Sequence, residues 1–412
     1  MKTEQQPKIV VLGRMCLDPC GGVVWQALHY LVALKELGFD VYYVESHSNW
    51  VADPCNPSAN PDVPRVMIGD VLERLGFADR WACRAAHADN GKVFGSLDRE
   101  KLKNIYAEAQ AIINVTATNI LDEDQLSCDR RIYLETDPGF PQIKLHEGDA
   151  KMRDFVRSHT HHFTFAENLG QPDCGIPKPD LHYYRTRQPV LLNHWEAPID
   201  SECSRFTTIA KWTGGRKKEI KFNGDFYPWR KDLEFRKILD LPARSKQPVE
   251  LALSWIGHDD QRMLEENGWR VVDARALSAS IHEYRRYIQQ SRGEFTVTKD
   301  QYVRLRSGWF SDRSACYLAA GRPVITGDTG FGHVLPTGEG LFAFETMDHI
   351  LAAFDAINSN YEKHCRAARD IAHEYFDAKK VVTDLLHQTG LDVPGENRNT
   401  GTHAVVSAKS SS

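Results

Sequence analysis

The chain has 412 residues, of which 42% are apolar and 26% are charged, and its formal net charge is −5. This length exceeds one ordinary hydrophobic core and predicts two domains of roughly 150–200 residues each. The negative charge excludes an overall attraction to nucleic acid or to an anionic membrane surface, although it leaves room for a local basic patch.

Nothing in the sequence indicates a membrane span or a secretory leader. No run of about 18 apolar residues occurs, and the polar start MKTEQQPKIVVLG is unlike a signal peptide. The nine cysteines include no CxxC pair, and their odd number does not suit a disulfide framework. We therefore expect a cytoplasmic protein with reduced thiols and no metal site.

The N-terminal segment predicts a βαβ unit. KIVVLG (residues 8–13) is apolar for most of its length and ends at a glycine, as a buried parallel strand does. After the turn-rich loop RMCLDPCGG, the spacing of Val24, Leu28 and Leu31 predicts an amphipathic helix. VYYVE (residues 41–45) predicts the second strand. The order strand, helix, strand favours a parallel sheet.

Strands and helices alternate along the rest of the chain. A loop rich in Pro and Asn is predicted at residues 45–64. The elements predicted after it are helices at 70–75 and 99–109, and three strands that each include the following turn or exit loop within the ranges 111–118, 131–140 and 161–170. Closely spaced prolines place the domain boundary near residues 189–195. Five strands are predicted beyond this boundary, at 205–212, 248–255, 269–274, 294–299 and 322–327.

These elements predict an α/β fold of two Rossmann-like domains, whose mostly parallel sheets face a cleft. The first domain is expected at residues 1–190 and the second at 191–360. The segment from 361 to 390 is predicted to be helical, and the polar tail at 391–412 is expected to be disordered.

The stretch SGWFSDRSACYLAAGRPVITGDTGF (residues 307–331) predicts a site for an anion. A short helix is expected at 312–320, and the unpaired backbone N–H groups at a helix start suit a phosphate. Ser311 is predicted to cap this helix, and Gly308 permits the backbone to approach a ligand closely. A second polar turn, TGDTGF, follows the next strand.

Basic side chains gather around these two turns, and guanidinium and ammonium groups are natural partners of a diphosphate. The candidate ligand-binding residues are Lys299, Arg306, Gly308, Ser311, Asp312, Arg313, Ser314, Asp328, Thr329 and Gly330. A purely structural interpretation also stands, with Ser311 as a cap, Arg306 on a solvated face and Asp328 as a turn former. The clustering of these residues favours a binding site.

Three stretches resemble the glycosyltransferases of the GT-B fold. GRPVITGDTGFGHVLPTGEGLFAFETMDHILAAFDAI (residues 321–357) is similar to the donor-binding end of that family. CGGVVWQALHYLVALKELGFDVYYVE (residues 20–45) resembles its Gly-rich loop, first helix and second strand. CRAARDIAHEYFDAKKVVTDLL (residues 365–386) is similar to its closing helices. The middle of the chain matches only as a pattern of strands and helices.

The resemblance implies a metal-independent transfer of a sugar from a nucleotide-diphosphate sugar, without a cofactor. It makes residues 1–190 the acceptor-side domain and 191–360 the donor domain, with helices at 361–390 crossing back. It also implies that Gly21 and Gly22 lie near the donor phosphates. Many retaining members carry two glutamates where this chain has Gly308 and Cys316. Asp312 is the candidate replacement.

In an inverting mechanism, a catalytic base takes the proton of the acceptor hydroxyl. By analogy with the family, this base would come from the first domain. Asp137, directly after a predicted strand, is the first candidate, and Asp18 and His47 are its rivals. An Asp-Pro-Gly turn explains Asp137 equally well.

Other functions stay open at this point. A dehydrogenase is disfavoured because the first turn, GRMCLDPCGG, lacks the G-x-G-x-x-G pattern. A sugar-nucleotide epimerase or hydrolase would share the donor site, and Gly308 and Cys316 are compatible with a non-catalytic nucleotide-binding protein. The donor, the stereochemistry and the oligomeric state are unspecified. The acceptor could be a small molecule, a glycan or, with less support, nucleic acid.

Overall fold

The computed structural model describes residues 6–47, 62–85, 93–213 and 219–395. The strands of its first sheet are β1 (Lys8–Leu12), β2 (Asp40–His47), β3 (Trp81–Ala85), β4 (Val93–Gly95), β5 (Ala109–Val115), β6 (Arg131–Glu135), β7 (His161–Thr164) and β8 (Tyr183–Arg185). They lie in the order β4-β3-β2-β1-β5-β6-β7-β8. All neighbours are parallel except β3 and β4.

Helices follow most of these strands, as parallel connections require. The helices of the first half are α1 (Gly21–Glu36), α2 (Asp62–Arg74), α3 (Arg99–Glu108), α4 (Glu123–Leu126), α5 (Phe140–His146), α6 (Ala150–Arg157) and α7 (Leu192–Trp195). The central strand β1 is buried from Ile9 to Leu12, which explains its uninterrupted apolar sequence.

The second half contains a six-stranded parallel sheet and a separate hairpin. Its strands are β9 (Phe206–Lys211), β10 (Ile220–Phe222), β11 (Asp225–Tyr227), β12 (Val249–Ser254), β13 (Arg270–Asp273), β14 (Gly293–Thr296), β15 (Val324–Gly327) and β16 (Leu341–Phe344). The sheet order is β13-β12-β9-β14-β15-β16, and β10 pairs with β11 as the hairpin. This hairpin packs on the first half, with Phe222 in one apolar cluster with Ile143 and Ile176.

The helices of the second half are α8 (Asp232–Arg236), α9 (Leu241–Arg244), α10 (His258–Glu266), α11 (Ala274–Leu277), α12 (Ile281–Gln289), α13 (Asp300–Arg304), α14 (Asp312–Ala319), α15 (Met347–Ser359), α16 (Tyr361–Ile371) and α17 (Ala378–Gln388). Among the described residues, none of the helices has both the length and the apolar character of a membrane span.

Helix α1 joins the two halves, because α12 and α17 both pack on it. The Trp25 indole donates to the Ile281 carbonyl at 2.9 Å. Leu385 and Leu386 of α17 share an apolar core with Leu31 of α1. The last helix therefore lies against the first half of the chain.

The elements that sequence patterns miss are short. The three-residue strands β4 and β8 and the hairpin β10–β11 show too few alternations for a period to be recognised. The tail expected to be disordered from residue 391 begins with two buried side chains, Leu391 and Val393. Residues 396–412 lie outside the described residues.

The structure pairs Cys16 with Cys83 as a disulfide, which corrects the expectation of reduced thiols for these two residues. Cys16 lies in the loop after β1, and Cys83 lies in β3, on the far side of β2. Sequence spacing gives no indication of this pair because the two cysteines lie 67 positions apart in the chain. The other cysteines among the described residues are free.

Candidate functional site

The two halves meet where carboxylate–lysine pairs connect the loops that follow their strands. Asp137 follows β6 and Lys299 follows β14, and Asp137 Oδ1 lies 3.6 Å from Lys299 Nζ. The Tyr302 hydroxyl donates to the same oxygen at 2.7 Å. Lys299 Nζ also lies 3.5 Å from the centre of the Trp229 ring, a cation–π contact. A predicted base and a predicted phosphate ligand are thus neighbours.

A second pair of this kind involves Asp18. Its Oδ2 lies 3.5 Å from Nζ of Lys211, the last residue of β9, and 3.4 Å from Arg14. The carboxylate is almost fully buried. His47, the third candidate base, ends β2, and its side chain lies outside the described residues.

Asp312, the first residue of α14, lies close to Asp137. Burial raises the pKa of the Asp312 carboxyl above its ordinary value, Arg313 offsets part of this shift, and the charge of Asp137 adds to it. Neighbouring carboxyl groups resist simultaneous ionisation. Asp312 is thus a buried carboxyl whose charged form is disfavoured, and it lies near the Asp137 carboxylate that accepts from Tyr302.

The start of α14 differs from the prediction. Ser311 occupies the N-cap position, but its side chain makes no capping hydrogen bond, so the predicted cap is wrong. The Ser311 carbonyl instead accepts from Nε2 of Gln188, at 2.9 Å. Ser314 is fully buried in the first turn, and its hydroxyl has no hydrogen-bond partner among the described residues.

Lys231 is the main cation that sequence analysis missed. It directly precedes α8, and its backbone amide donates to the carbonyl of Trp212, just after β9, at 3.4 Å. Its side chain is buried, with Nζ 3.5 Å from the hydroxyl of Thr296, the last residue of β14. Burial lowers the pKa of its ammonium well below the ordinary 10.5, and the charge of Arg313 lowers it further. The hairpin β10–β11 lies between β9 and Lys231 in the chain, so no spacing rule connects Lys231 with that strand.

Arg313 is occupied by structural contacts. Its Nε donates to the buried carboxylate of Glu294, and its Nη1 donates to the Ile209 carbonyl at 2.7 Å. Its Nη2 donates to the Thr296 hydroxyl at 3.1 Å. These three hydrogen bonds connect α14 to β9 and β14, and they favour a structural role for Arg313 over phosphate binding.

The two polar turns pack on each other and on the first half of the chain. The Gly308 amide donates to the Thr329 carbonyl at 2.8 Å, and the Gly330 amide donates to Asp328 at 2.7 Å. Asn168 lies between the turns and donates to the Gly330 carbonyl at 3.0 Å. A Cβ on Gly308 would stand 2.7 Å from the backbone nitrogen of Asn168. The absence of a side chain at Gly308 therefore makes room for Asn168, whereas the sequence suggested that it makes room for a ligand.

Arg306 lies at the rim of the same region. Its backbone φ of 43° is in the left-handed region, which a non-glycine residue seldom adopts. Its Nε donates to Asp173 at 2.9 Å, and its Nη1 lies 3.5 Å from Asp328. Because Asp173 belongs to the first half, this half-exposed guanidinium bridges the two halves.

Gly21 and Gly22 pack against α12. The Gly21 amide donates to the Ser278 carbonyl at 2.7 Å, and a Cβ on Gly21 would stand 2.6 Å from Cβ of Tyr284. A Cβ on Gly22 would stand 3.2 Å from the Tyr284 ring. The Gly21 amide is therefore engaged within the protein, and both glycines allow α1 to approach α12 closely.

No protein-family model and no curated protein matches the sequence. Solved structures do match. An alpha-glucosyltransferase (AGT) in complex with UDP aligns with a TM-score of 0.55 at 10% identity, over 94% of this chain and 100% of that chain. An alpha-glucosyltransferase with UDP and a 13-mer DNA aligns at 0.53, with 11% identity and the same coverage. A glycosyltransferase from Rickettsia africae ESF-5 aligns at 0.52, with 9% identity, over 94% and 98%.

At these identities the likeness concerns the fold. The chain has the GT-B fold, as the resemblance in its sequence implied, and the predicted α/β class with two mostly parallel sheets is confirmed.

Proposed function

We propose that this protein transfers a glycosyl group from a uridine-diphosphate sugar to an acceptor hydroxyl, without a metal ion. The observation that carries the proposal is the buried ammonium of Lys231, which has no ion-pair partner among the described residues. An unpaired buried cation is costly, so its place at the ends of two parallel strands suits an anionic ligand. UDP is the nucleotide in the matching alpha-glucosyltransferase structures.

The surrounding side chains suit the chemistry of this transfer. As the bond between the anomeric carbon and the diphosphate breaks, negative charge develops on the leaving oxygen. In the proposed arrangement, Lys231, Lys299 and Lys211 stabilise that charge, together with the start of α14. Asp137 takes the proton of the acceptor hydroxyl, and Asp312 binds a hydroxyl of the donor.

The first test is a thermal-shift series with UDP, GDP, dTDP, CDP, ADP and NAD on the wild type and on Lys231→Met. We expect UDP to raise the Tm of the wild type selectively. Loss of one charge-assisted contact should weaken UDP binding by roughly 10–100-fold. The unliganded variant should keep its Tm or gain stability, because methionine fills the space without a buried charge.

Lys237→Met is the matched control, because Lys237 is exposed and paired with Glu234. It should bind UDP like the wild type. Full UDP stabilisation of Lys231→Met, or stabilisation of the wild type by NAD alone, would contradict the proposal. Unchanged UDP release from UDP-glucose in excess EDTA would support independence from metal ions.

Lys231 should also couple UDP binding to proton uptake. The folded, unliganded protein holds the pKa of this ammonium well below 10.5, and a bound diphosphate favours the charged form and raises this pKa. UDP affinity should therefore fall as the pH rises through the lowered pKa. Over the interval between the lowered pKa and 10.5, the unfolded chain binds more protons, so the unliganded fold becomes more stable as the pH rises.

Calorimetry in two buffers of different ionisation enthalpy measures this uptake directly. Near the lowered pKa we expect the wild type to take up a fraction of a proton per UDP, and Lys231→Met to take up less. Equal proton uptake by the two proteins across the pH range would refute the assignment of Lys231 to the diphosphate.

A further inference from the structure

The disulfide between Cys16 and Cys83 fastens the loop at residues 13–20 to the first sheet. Both residues are buried, with 2% and 0% of their surface exposed. Cys16 belongs to the loop that connects β1 to α1, whereas Cys83 is held in β3 by its pairing with β2. The bond therefore joins a non-repetitive segment to a sheet.

Glu45 supports the same loop from β2. Its carboxylate accepts the amide of Cys16 at 2.5 Å and the amide of Leu17 at 3.2 Å. The Tyr43 hydroxyl donates to this carboxylate as well. A carboxylate oxygen of Glu45 and the two sulfurs lie within 4.8 Å of one another. The loop is thus held by one covalent bond and by a buried carboxylate beside it.

Asp18 lies two residues beyond Cys16 in this loop and reaches Lys211 in the second half of the chain. We propose that Cys16 and Cys83 form a reversible disulfide that holds residues 13–20 in place and keeps Asp18 on Lys211. Its reduction releases the loop and opens this contact between the halves. The bond and its effect on the loop do not depend on the proposed function.

The exchange balances with a small dithiol as reductant. One dithiol sulfur, as thiolate, attacks a cysteine sulfur, the bond between Cys16 and Cys83 breaks, and a mixed disulfide forms. The second dithiol sulfur then displaces the other cysteine. Cys16 and Cys83 each gain a proton and share two electrons, and the reductant leaves as a cyclic disulfide. Oxidised glutathione reverses the change by the same exchange.

The test uses the full chain purified without reductant. Alkylation in denaturant followed by peptide mapping should yield a cross-linked Cys16–Cys83 peptide that disappears after dithiothreitol treatment. Dithiothreitol should also lower the Tm by roughly 5 °C, the size expected for one disulfide. Hydrogen exchange at residues 14–18 should accelerate at the same time.

Cys83→Ala should lack both responses to dithiothreitol, and Cys128→Ala should keep them, because Cys128 is a buried free cysteine of the same domain. Alkylation of Cys16 and Cys83 in the untreated wild type would overturn the proposal. Hydrogen exchange at residues 14–18 that is unchanged by dithiothreitol would overturn it as well. Bound zinc in the untreated protein would also overturn it and indicate a cluster of two thiolates and Glu45. If the cross-link and its effect on the loop appear but UDP never binds, the proposed function fails and the proposal of a reversible disulfide stands.

Discussion

Replacing Asp137 with asparagine should lower turnover by roughly 10²–10⁴-fold, the usual contribution of a positioned general base. Turnover is measured as UDP release from UDP-glucose in the presence of monosaccharides, oligosaccharides or duplex DNA. The amide keeps the shape of the side chain and can still accept from Tyr302, which donates to Asp137 at 2.7 Å. It cannot take a proton from the acceptor. UDP binding, followed by thermal shift, should be almost unchanged.

Asp154→Asn is the control for this experiment, because Asp154 is an exposed carboxylate on α6 of the same domain. It should keep wild-type turnover. If Asp137→Asn also keeps its turnover, the acceptor proton goes elsewhere, and Asp18 becomes the next candidate. Loss of UDP binding together with turnover would instead assign Asp137 to the donor site, through its contact with Lys299.

Replacing Arg313 with methionine should destabilise the protein by roughly 3–5 kcal/mol, because it leaves a buried carboxylate without its partner. The Glu294 side chain is completely buried, and that of Arg313 is 11% exposed. Thermal unfolding would show a Tm lowered by roughly 10 °C. The variant also loses the bonds from this guanidinium to the Ile209 carbonyl and the Thr296 hydroxyl.

The double variant Arg313→Met with Glu294→Gln should recover a large part of this loss, since no unpaired charge remains buried. Arg306→Met is the matched single control. Its guanidinium is 37% exposed, and ion pairs of that kind contribute roughly 0–1 kcal/mol. Equal stability losses in Arg313→Met and Arg306→Met would refute the structural role of Arg313.

Because Arg313 has a structural role, the donor site is better tested by substituting another residue. In the sequence, Arg313 lies next to a helix start and is therefore predicted to bind phosphate. Its substitution, however, would lower the stability of the protein and the affinity for UDP together. Lys231→Met separates the two effects, because it removes a buried charge that has no ion-pair partner among the described residues.

Local patterns were sufficient for the fold class and for the first βαβ unit. The apolar run at residues 8–13, the helical spacing from Val24 to Leu31 and the strand at 41–45 specified the first βαβ unit, because burial and periodicity act over a few neighbouring residues. The predicted strand ends then placed Asp137 in the loop after its strand and Lys299 at the last residue of its strand, both at the carboxyl ends of their sheets. The structure brings these two side chains within 3.6 Å of each other.

The sequence by itself thus determined the fold class and the loops that carry the charged side chains. The tertiary structure decided which of those side chains are already engaged. It placed Asn168 between the two polar turns, bound Arg313 to Glu294, joined Cys16 to Cys83 and buried Lys231 beside Thr296 at the end of β14. Each of these contacts joins residues far apart in the chain, and such contacts depend on the packing of whole elements, which no short pattern encodes.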